Sequence, residues 1–372
     1  MISPVATKQR SASQDSPNWK RHLSAKILVS LLVFLAATTT NQSASALPLQ
    51  VSGVHPAKAE INMLYWPGSS KNNTTFVCVH ALGLSAKAFS GFGDTMSRKG
   101  FEVYAFDVRG FGSERDRPGY NRLDLDTTVA DLKDVISLIR SRDRNRKIIV
   151  FGESMGGAIV LKATSQYPRL MDAVVLSAPA WQLYNLKRIT MKGIGDLFLP
   201  DSCNMAARSV MKQATSSAEL KRYWREDKSH KLKLSPREAY DYYKFIRLTP
   251  QYSEKVTSTP VLVFQGLHDN LAKPTATARL FKMIKSRDKQ FVIACDAEHL
   301  VLEEGQLSKT VIDITLKWVS KLTNHKTGAG KSRVVVLDRE SLEVKDLNQV
   351  NRLMKLSGAP QPKLSITPLP GA

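Results

Sequence analysis

The sequence predicts an α/β fold: a mostly parallel central sheet flanked by helices, with an inserted helical cap. Three observations carry this expectation. From residue 60 onward, short apolar runs alternate with segments of helical period, the mark of strands and crossover helices. Several of the runs are continuous stretches of β-branched residues, as strands covered on both faces require. The alternation stops over residues 181–247 and then resumes, and so long an interruption is too large for a plain loop. At 372 residues the chain exceeds the usual single-domain size, but α/β folds often run to about 250 residues as one unit, so one domain with additions is expected.

Taken in order, residues 1–46 read as a signal peptide. A basic stretch ending at Lys26 precedes the apolar run Ile27 to Ala37, and Ala44-Ser45-Ala46 supplies the small residues that a signal peptidase accepts. That run is shorter than the roughly 20 apolar residues a spanning helix needs. Cleavage near Ala46 and export to the periplasm or the medium are therefore expected, and an uncleaved membrane anchor is the alternative. Residues 47–180 and 248–324 form the expected core. Its strands are Ile61 to Trp66, Phe76 to His80, Val103 to Asp107, Lys147 to Phe151, Ala173 to Ser177, Pro260 to Gln265 and Gln290 to Cys295. Leu123 to Arg140, Met155 to Gln166 and Lys309 to Leu322 carry a helical period. Residues 181–247, with 14 Lys and Arg against 7 Asp and Glu, form the expected cap or lid. Residues 325–372 read as linker and C-terminal tail: Lys326 to Lys331 is glycine-rich, Val334 to Leu337 could add an edge strand, and Gly358 to Ala372 is rich in proline.

The strongest chemical signal is Gly152-Glu153-Ser154-Met155-Gly156-Gly157, entered from a strand and left by a helical pattern. A nucleophilic serine on such a sharp turn must expose its hydroxyl. Side chains two residues to either side would collide there, which explains Gly152 and Gly156. A hydroxyl near neutral pH needs a base, and on this kind of sheet the acid and then the histidine follow the serine in the chain. Of seven histidines, His22, His55 and His80 precede Ser154, His230 lies in the cap, His268 comes before the acid site and His325 falls in the linker. His299 remains, in a loop just past a strand, where open α/β sheets bind ligands. Asp269, just past the strand ending at Gln265, is the expected acid that holds the correct imidazole tautomer, and Asp296 is its rival. The oxyanion needs two backbone donors. Met155 N–H, directly after the nucleophile, and Leu82 N–H, in the loop His80-Ala81-Leu82-Gly83, are the candidates.

Residues 60 to 324 resemble the monoacylglycerol lipase and lysophospholipase group of α/β-hydrolases, a serine aminopeptidase-type group. The matching stretches are His80-Ala-Leu-Gly83, Asp107-Val-Arg-Gly-Phe-Gly-Ser113, Gly152-Glu-Ser-Met-Gly-Gly157, Gly266-Leu-His-Asp269 and His299-Leu-Val-Leu-Glu303. One departure stands out: the family usually has His-Gly-x-Gly in the oxyanion loop, where this chain has Ala81. The resemblance implies an α/β-hydrolase fold and a serine hydrolase of lipid-like acyl esters such as monoacylglycerol or lysophospholipid, acting through an acyl-enzyme on Ser154. It also implies that Asp107 to Ser113 is a structural turn. Trp181, Leu183, Tyr184, Ile194, Leu197, Phe198 and Leu199 offer apolar surface for an acyl pocket. A peptidase or amidase and an acyltransferase of the same superfamily share the machinery and stay open. A noncatalytic binding protein on this fold would normally lack a triad member.

No metal and no cofactor is implied. The net charge of +21, of which +4 falls in residues 1–46, favours anionic partners such as an acidic membrane surface. Nucleic acid is disfavoured, since neither zinc-finger spacing nor an aromatic RNA-binding signature occurs. Three cysteines, Cys78, Cys203 and Cys295, cannot all pair within one chain, and the sequence leaves their pairing open.

Overall fold

The computed structural model describes residues 49–54, 60–69, 71–184, 210, 212–231, 234–303, 305–323, 332–337 and 342–360. The expected signal segment and cleavage site, with Ile194, Leu197, Phe198, Leu199, Cys203 and His325, lie outside the described residues.

Among the described residues, nine strands form one sheet: β1 Leu49–Val54, β2 Glu60–Trp66, β3 Thr74–Val79, β4 Glu102–Phe106, β5 Lys147–Glu153, β6 Ala173–Ser177, β7 Val261–Gly266, β8 Lys289–Ala294 and β9 Arg333–Leu337. Their spatial order is β1-β2-β4-β3-β5-β6-β7-β8-β9. Only β2 runs against its neighbours, and every pairing from β4 to β9 is parallel. The expected seven strands are all present, with ends shifted by at most two residues.

Alternation along each strand divides the apolar residues between two cores. In β5, Ile148 and Val150 enter one cluster while Ile149 and Phe151 enter the other. Val261 and Val263 of β7 oppose Leu262 and Phe264 in the same way, and Phe291 and Ile293 of β8 oppose Val292 and Ala294. Apolar runs on both sides of a strand need helices on both faces, and the chain supplies them. The helices are α1 Ser90–Arg98, α2 Leu125–Arg142, α3 Met155–Gln166, α4 Ala218–Glu226, α5 Pro236–Arg247, α6 Thr249–Glu254, α7 Pro274–Met283, α8 Lys309–Thr323 and α9 Val344–Ser357. Ser235 opens α5 with a capping box, in which its hydroxyl meets the Glu238 N–H and the Glu238 carboxylate accepts the Ser235 N–H.

The edge strand offered at Val334 to Leu337 is present, Arg333–Leu337 pairing in parallel with β8. The reading of the rest of 325–372 as linker and tail is corrected in part, because α9 buries Val350, Leu353 and Met354 in the core. The physical reason is that Val350, Leu353 and Met354 give this segment an apolar face, which packs where α9 meets α7. Within residues 181–247 the described part includes α4 and α5. It is tied to the core where the Lys231 N–H donates to the Gly83 carbonyl and the Gly112 N–H donates to the Ser229 carbonyl.

Candidate active site

The parallel strands β3, β5, β7 and β8 all end on one edge of the sheet, and the loops leaving them bring the site together. β5 runs directly into α3, and Ser154 stands at the junction with φ 51° and ψ −107°. It is one of two non-glycine residues with positive φ among the described residues. The strained turn is held from β6: the Ser154 N–H donates to the Ser177 carbonyl at 2.9 Å, and the Ala180 N–H donates to the Ser154 carbonyl at 2.9 Å. A Cβ on Gly156 would stand 2.0 Å from the Val79 carbonyl oxygen, and one on Gly152 would stand 2.6 Å from the Gly156 oxygen. Both positions therefore need glycine, as the spacing suggests.

The three side chains singled out in the sequence meet in one hydrogen-bonded row. Ser154 Oγ lies 2.9 Å from His299 Nε2, and His299 Nδ1 lies 2.8 Å from Asp269 Oδ2. All three are buried, at 3%, 1% and 3% exposure for Ser154, His299 and Asp269. Asp269 is itself fixed: Oδ1 accepts the Leu271 and Ala272 N–H groups at 2.9 and 2.8 Å, and Oδ2 accepts from the Gln265 amide at 2.9 Å. An acceptor at Nδ1 keeps the proton there and leaves Nε2 free to accept from the serine. Burial presses His299 toward its neutral form, but the Asp269 carboxylate and the nearby Glu153 outweigh it and hold the pKa above the ordinary histidine value. The rival acid, Asp296, is exposed.

Two backbone amides are expected to bind the oxyanion, those of Leu82 and Met155. Met155 is the first residue of α3, so its N–H has no intrahelical acceptor and gains from the helix dipole. Leu82 follows Ala81, whose own N–H is bound by Glu303 Oε1 at 2.8 Å. The departure at Ala81 is harmless to the backbone, because the left-handed residue of this loop is Gly83, with φ 89°. His80 is a structural clamp: buried, it donates from Nδ1 to the Ala81 carbonyl at 2.8 Å and accepts the Val108 N–H at Nε2, 3.0 Å away. Asp107 to Ser113 is a turn of the kind expected, its carboxylate accepting the Ala86 N–H and both the N–H and hydroxyl of Ser113.

Sequence reasoning missed the buried Glu153 and Glu303. The available signal was a carboxylate inside an otherwise apolar stretch, since such residues are almost never fully buried without a partner. It also missed a third apolar cluster, in which Ala81 and Leu84 of the oxyanion loop, Leu271 of the acid loop and Leu300 beside the histidine meet Ala214 and Trp224 of the inserted segment. Of the expected pocket residues, Leu183 is buried and bridges Ala272, while Tyr184 is 39% exposed. Cys78 and Cys295 are both buried, and Cys78 is a free thiol. Among the described residues no cluster suited to a metal ion occurs.

A nucleophile elbow on a mostly parallel sheet, with histidine and acid from later loops, defines an α/β-hydrolase. The serine aminopeptidase, S33 family (Hydrolase_4) matches residues 70–306, more than half of the chain, and the chain belongs to that family. Its similarity lies with the monoacylglycerol lipase-like group. It is 24% identical over 256 residues to the monoacylglycerol lipase of Mycolicibacterium smegmatis, covering 68% of this chain and 90% of that protein. It is 22% identical over 286 residues to the monoglyceride lipase of Saccharomyces cerevisiae, covering 71% and 91%. The solved structure of a soluble variant of the latter, in complex with a substrate analog, superposes with a TM-score of 0.63 at 20% identity, covering 76% of this chain and 97% of that one.

Proposed function

We propose that the protein is a serine carboxylic ester hydrolase that cleaves lipid-like acyl esters, such as monoacylglycerol or lysophospholipid, through an acyl-enzyme on Ser154. The observation that carries this reading is the buried row Ser154–His299–Asp269 in a chain of this family. The nature of the relatives and the apolar cluster around the three loops support the lipid-like acyl group.

In this reading His299 Nε2 takes the proton of Ser154 Oγ as the oxygen bonds to the acyl carbon. The carbonyl oxygen becomes an oxyanion, held by the Leu82 and Met155 N–H groups. As the tetrahedral adduct collapses, His299 returns the proton to the departing alcohol oxygen and the acyl group stays on Ser154. Water enters, gives a proton to His299 and attacks the acyl carbon. Collapse releases the carboxylic acid and restores the serine hydroxyl with that proton. Asp269 stabilises the imidazolium in both halves without being protonated.

The family description favours one further reading, an aminopeptidase, which would use the same residues on an amide bond. A panel of p-nitrophenyl esters of increasing chain length, with monoacylglycerol, lysophospholipid and aminoacyl anilides, separates the two. Turnover confined to the anilides would replace the ester reading.

A further inference from the structure

Two buried carboxyl groups beside the site, Glu153 and Glu303, have no part in the steps above. Glu153, the neighbour of Ser154, is fully buried, and its oxygens accept the Val301 and Leu302 N–H groups at 3.1 and 2.8 Å. Glu303, 1% exposed, accepts the Ala81 N–H at Oε1, 2.8 Å away, while its Oε2 is buried with no hydrogen-bond partner. One loop, residues 299–303, thus carries the histidine at its start, is fastened to the nucleophile's strand in the middle and grips the oxyanion loop at its end.

We propose that Glu303 is a positioning residue: as a neutral carboxylic acid it anchors Ala81 and thereby sets where the next amide, Leu82 N–H, meets the acyl oxygen. This rests on the ester-hydrolysis reading and deepens it. A carboxylate needs donors at both oxygens, and Glu303 has a donor at one, so the uncharged form is the one this pocket tolerates. The titratable groups facing it are Glu153 and the Cys78 thiol, and Glu153 in turn faces His299. Burial and then Glu153 push the Glu303 pKa well above the carboxylate range, and burial pushes Glu153 up to about 7. Two buried carboxylates facing each other repel, so the pair retains a proton at neutral pH.

The test compares wild type with Glu303→Gln, Glu303→Asp and Glu303→Leu, each checked for folding by circular dichroism. The readouts are kcat and KM on a p-nitrophenyl ester and the rate of Ser154 labelling by a fluorophosphonate, from about pH 6 to about pH 10. Gln keeps an acceptor for the Ala81 N–H without the charge, so kcat should stay within about threefold across this range. Leu and the too-short Asp should lower kcat and labelling by about tenfold to a hundredfold, the scale of a displaced oxyanion donor, with KM within about twofold. Unchanged kcat and labelling in Leu and Asp, or a fall in Gln as deep as theirs, would overturn the proposal. If Leu fails to fold, the contrast of Gln with Asp decides. A wild type that labels quickly but cleaves no ester defeats the ester reading instead, and the labelling rates still judge Glu303.

Discussion

At the residue scale the account makes its sharpest statements. Ser154→Ala, His299→Ala and Asp269→Asn should each lower ester turnover by at least about a hundredfold with folding intact, since the three groups act as a unit. Asp296→Asn should be mild, because Asp296 is exposed and His299 Nδ1 is already bound to Asp269. A crippled Asp296→Asn beside an active Asp269→Asn would reverse the assignment. The pH profile follows from the same contact. General-base function needs neutral His299, and its pKa is held above the ordinary value of about 6.5. Activity should therefore fall as pH drops through a point above that value, and the limb of kcat/KM should move to lower pH in Asp269→Asn. Ser154, His299 and Asp269 were legible in the sequence because the elbow motif is local and chain order restricts the partners. Glu153 and Glu303 were not, because their roles depend on amides more than 140 residues and more than 220 residues away in the chain.

Secondary-structure elements show where reading the chain succeeds and fails. Strands β3 to β8 declare themselves as short apolar runs covered on both faces, several of them rich in β-branched residues, and their ends fall within two residues of expectation. β1, Leu-Gln-Val-Ser-Gly-Val, holds a glycine and two polar residues and becomes a strand by pairing with β2, a tertiary effect that local propensity does not reveal. α1 was hidden by its two glycines, which weaken a helix by about 1 kcal/mol each. α9 was hidden by the linker-like stretch before it, yet it also touches the site's frame, where the Gln349 amide donates to the Leu267 carbonyl two residues before Asp269. Leu353 of α9 is fully buried, so Leu353→Ala should cost about 2–5 kcal/mol of stability in urea unfolding. A loss below about 1 kcal/mol would return 344–357 to the status of a tail. The loop that carries Glu303 leaves a second mark on stability. Glu153 and Glu303 have raised pKa values in the fold, so the folded state binds more protons than the unfolded chain. Their contribution is fully present below the unfolded value of about 4.3 and is lost as pH rises through about 7 and beyond. Melting of Glu303→Gln should vary less with pH over this window than wild type, and an identical dependence would mean that Glu303 is ionised in the fold.

For the whole molecule, charge and export are the open proposals. The mature chain is expected to begin at Leu47 and to be found outside the cytoplasm, and N-terminal sequencing of extracted protein that returns Met1 or Ile2 would contradict this. The net charge of +21, with +7 in residues 181–247, suits an anionic lipid surface, where each basic residue nearby is worth about 1 kcal/mol. Mature protein should bind anionic vesicles and leave them as salt rises, because screening shortens to about 8 Å at physiological ionic strength. Charge reversal at Lys221, Arg222 and Arg225 without effect on vesicle binding would reduce the charge to solubility. All of these proposals presuppose an enzyme that forms an acyl intermediate on Ser154. Rapid quenching of wild type with a p-nitrophenyl ester, followed by trypsin digestion and mass spectrometry, tests that directly. Cleavage at Lys147 and Lys162 yields a peptide, Ile148 to Lys162, whose one hydroxyl side chain is Ser154. The account predicts the acyl mass on that peptide in wild type and its loss in Ser154→Ala. An acyl group on another peptide, or equal labelling of Ser154→Ala, would contradict it.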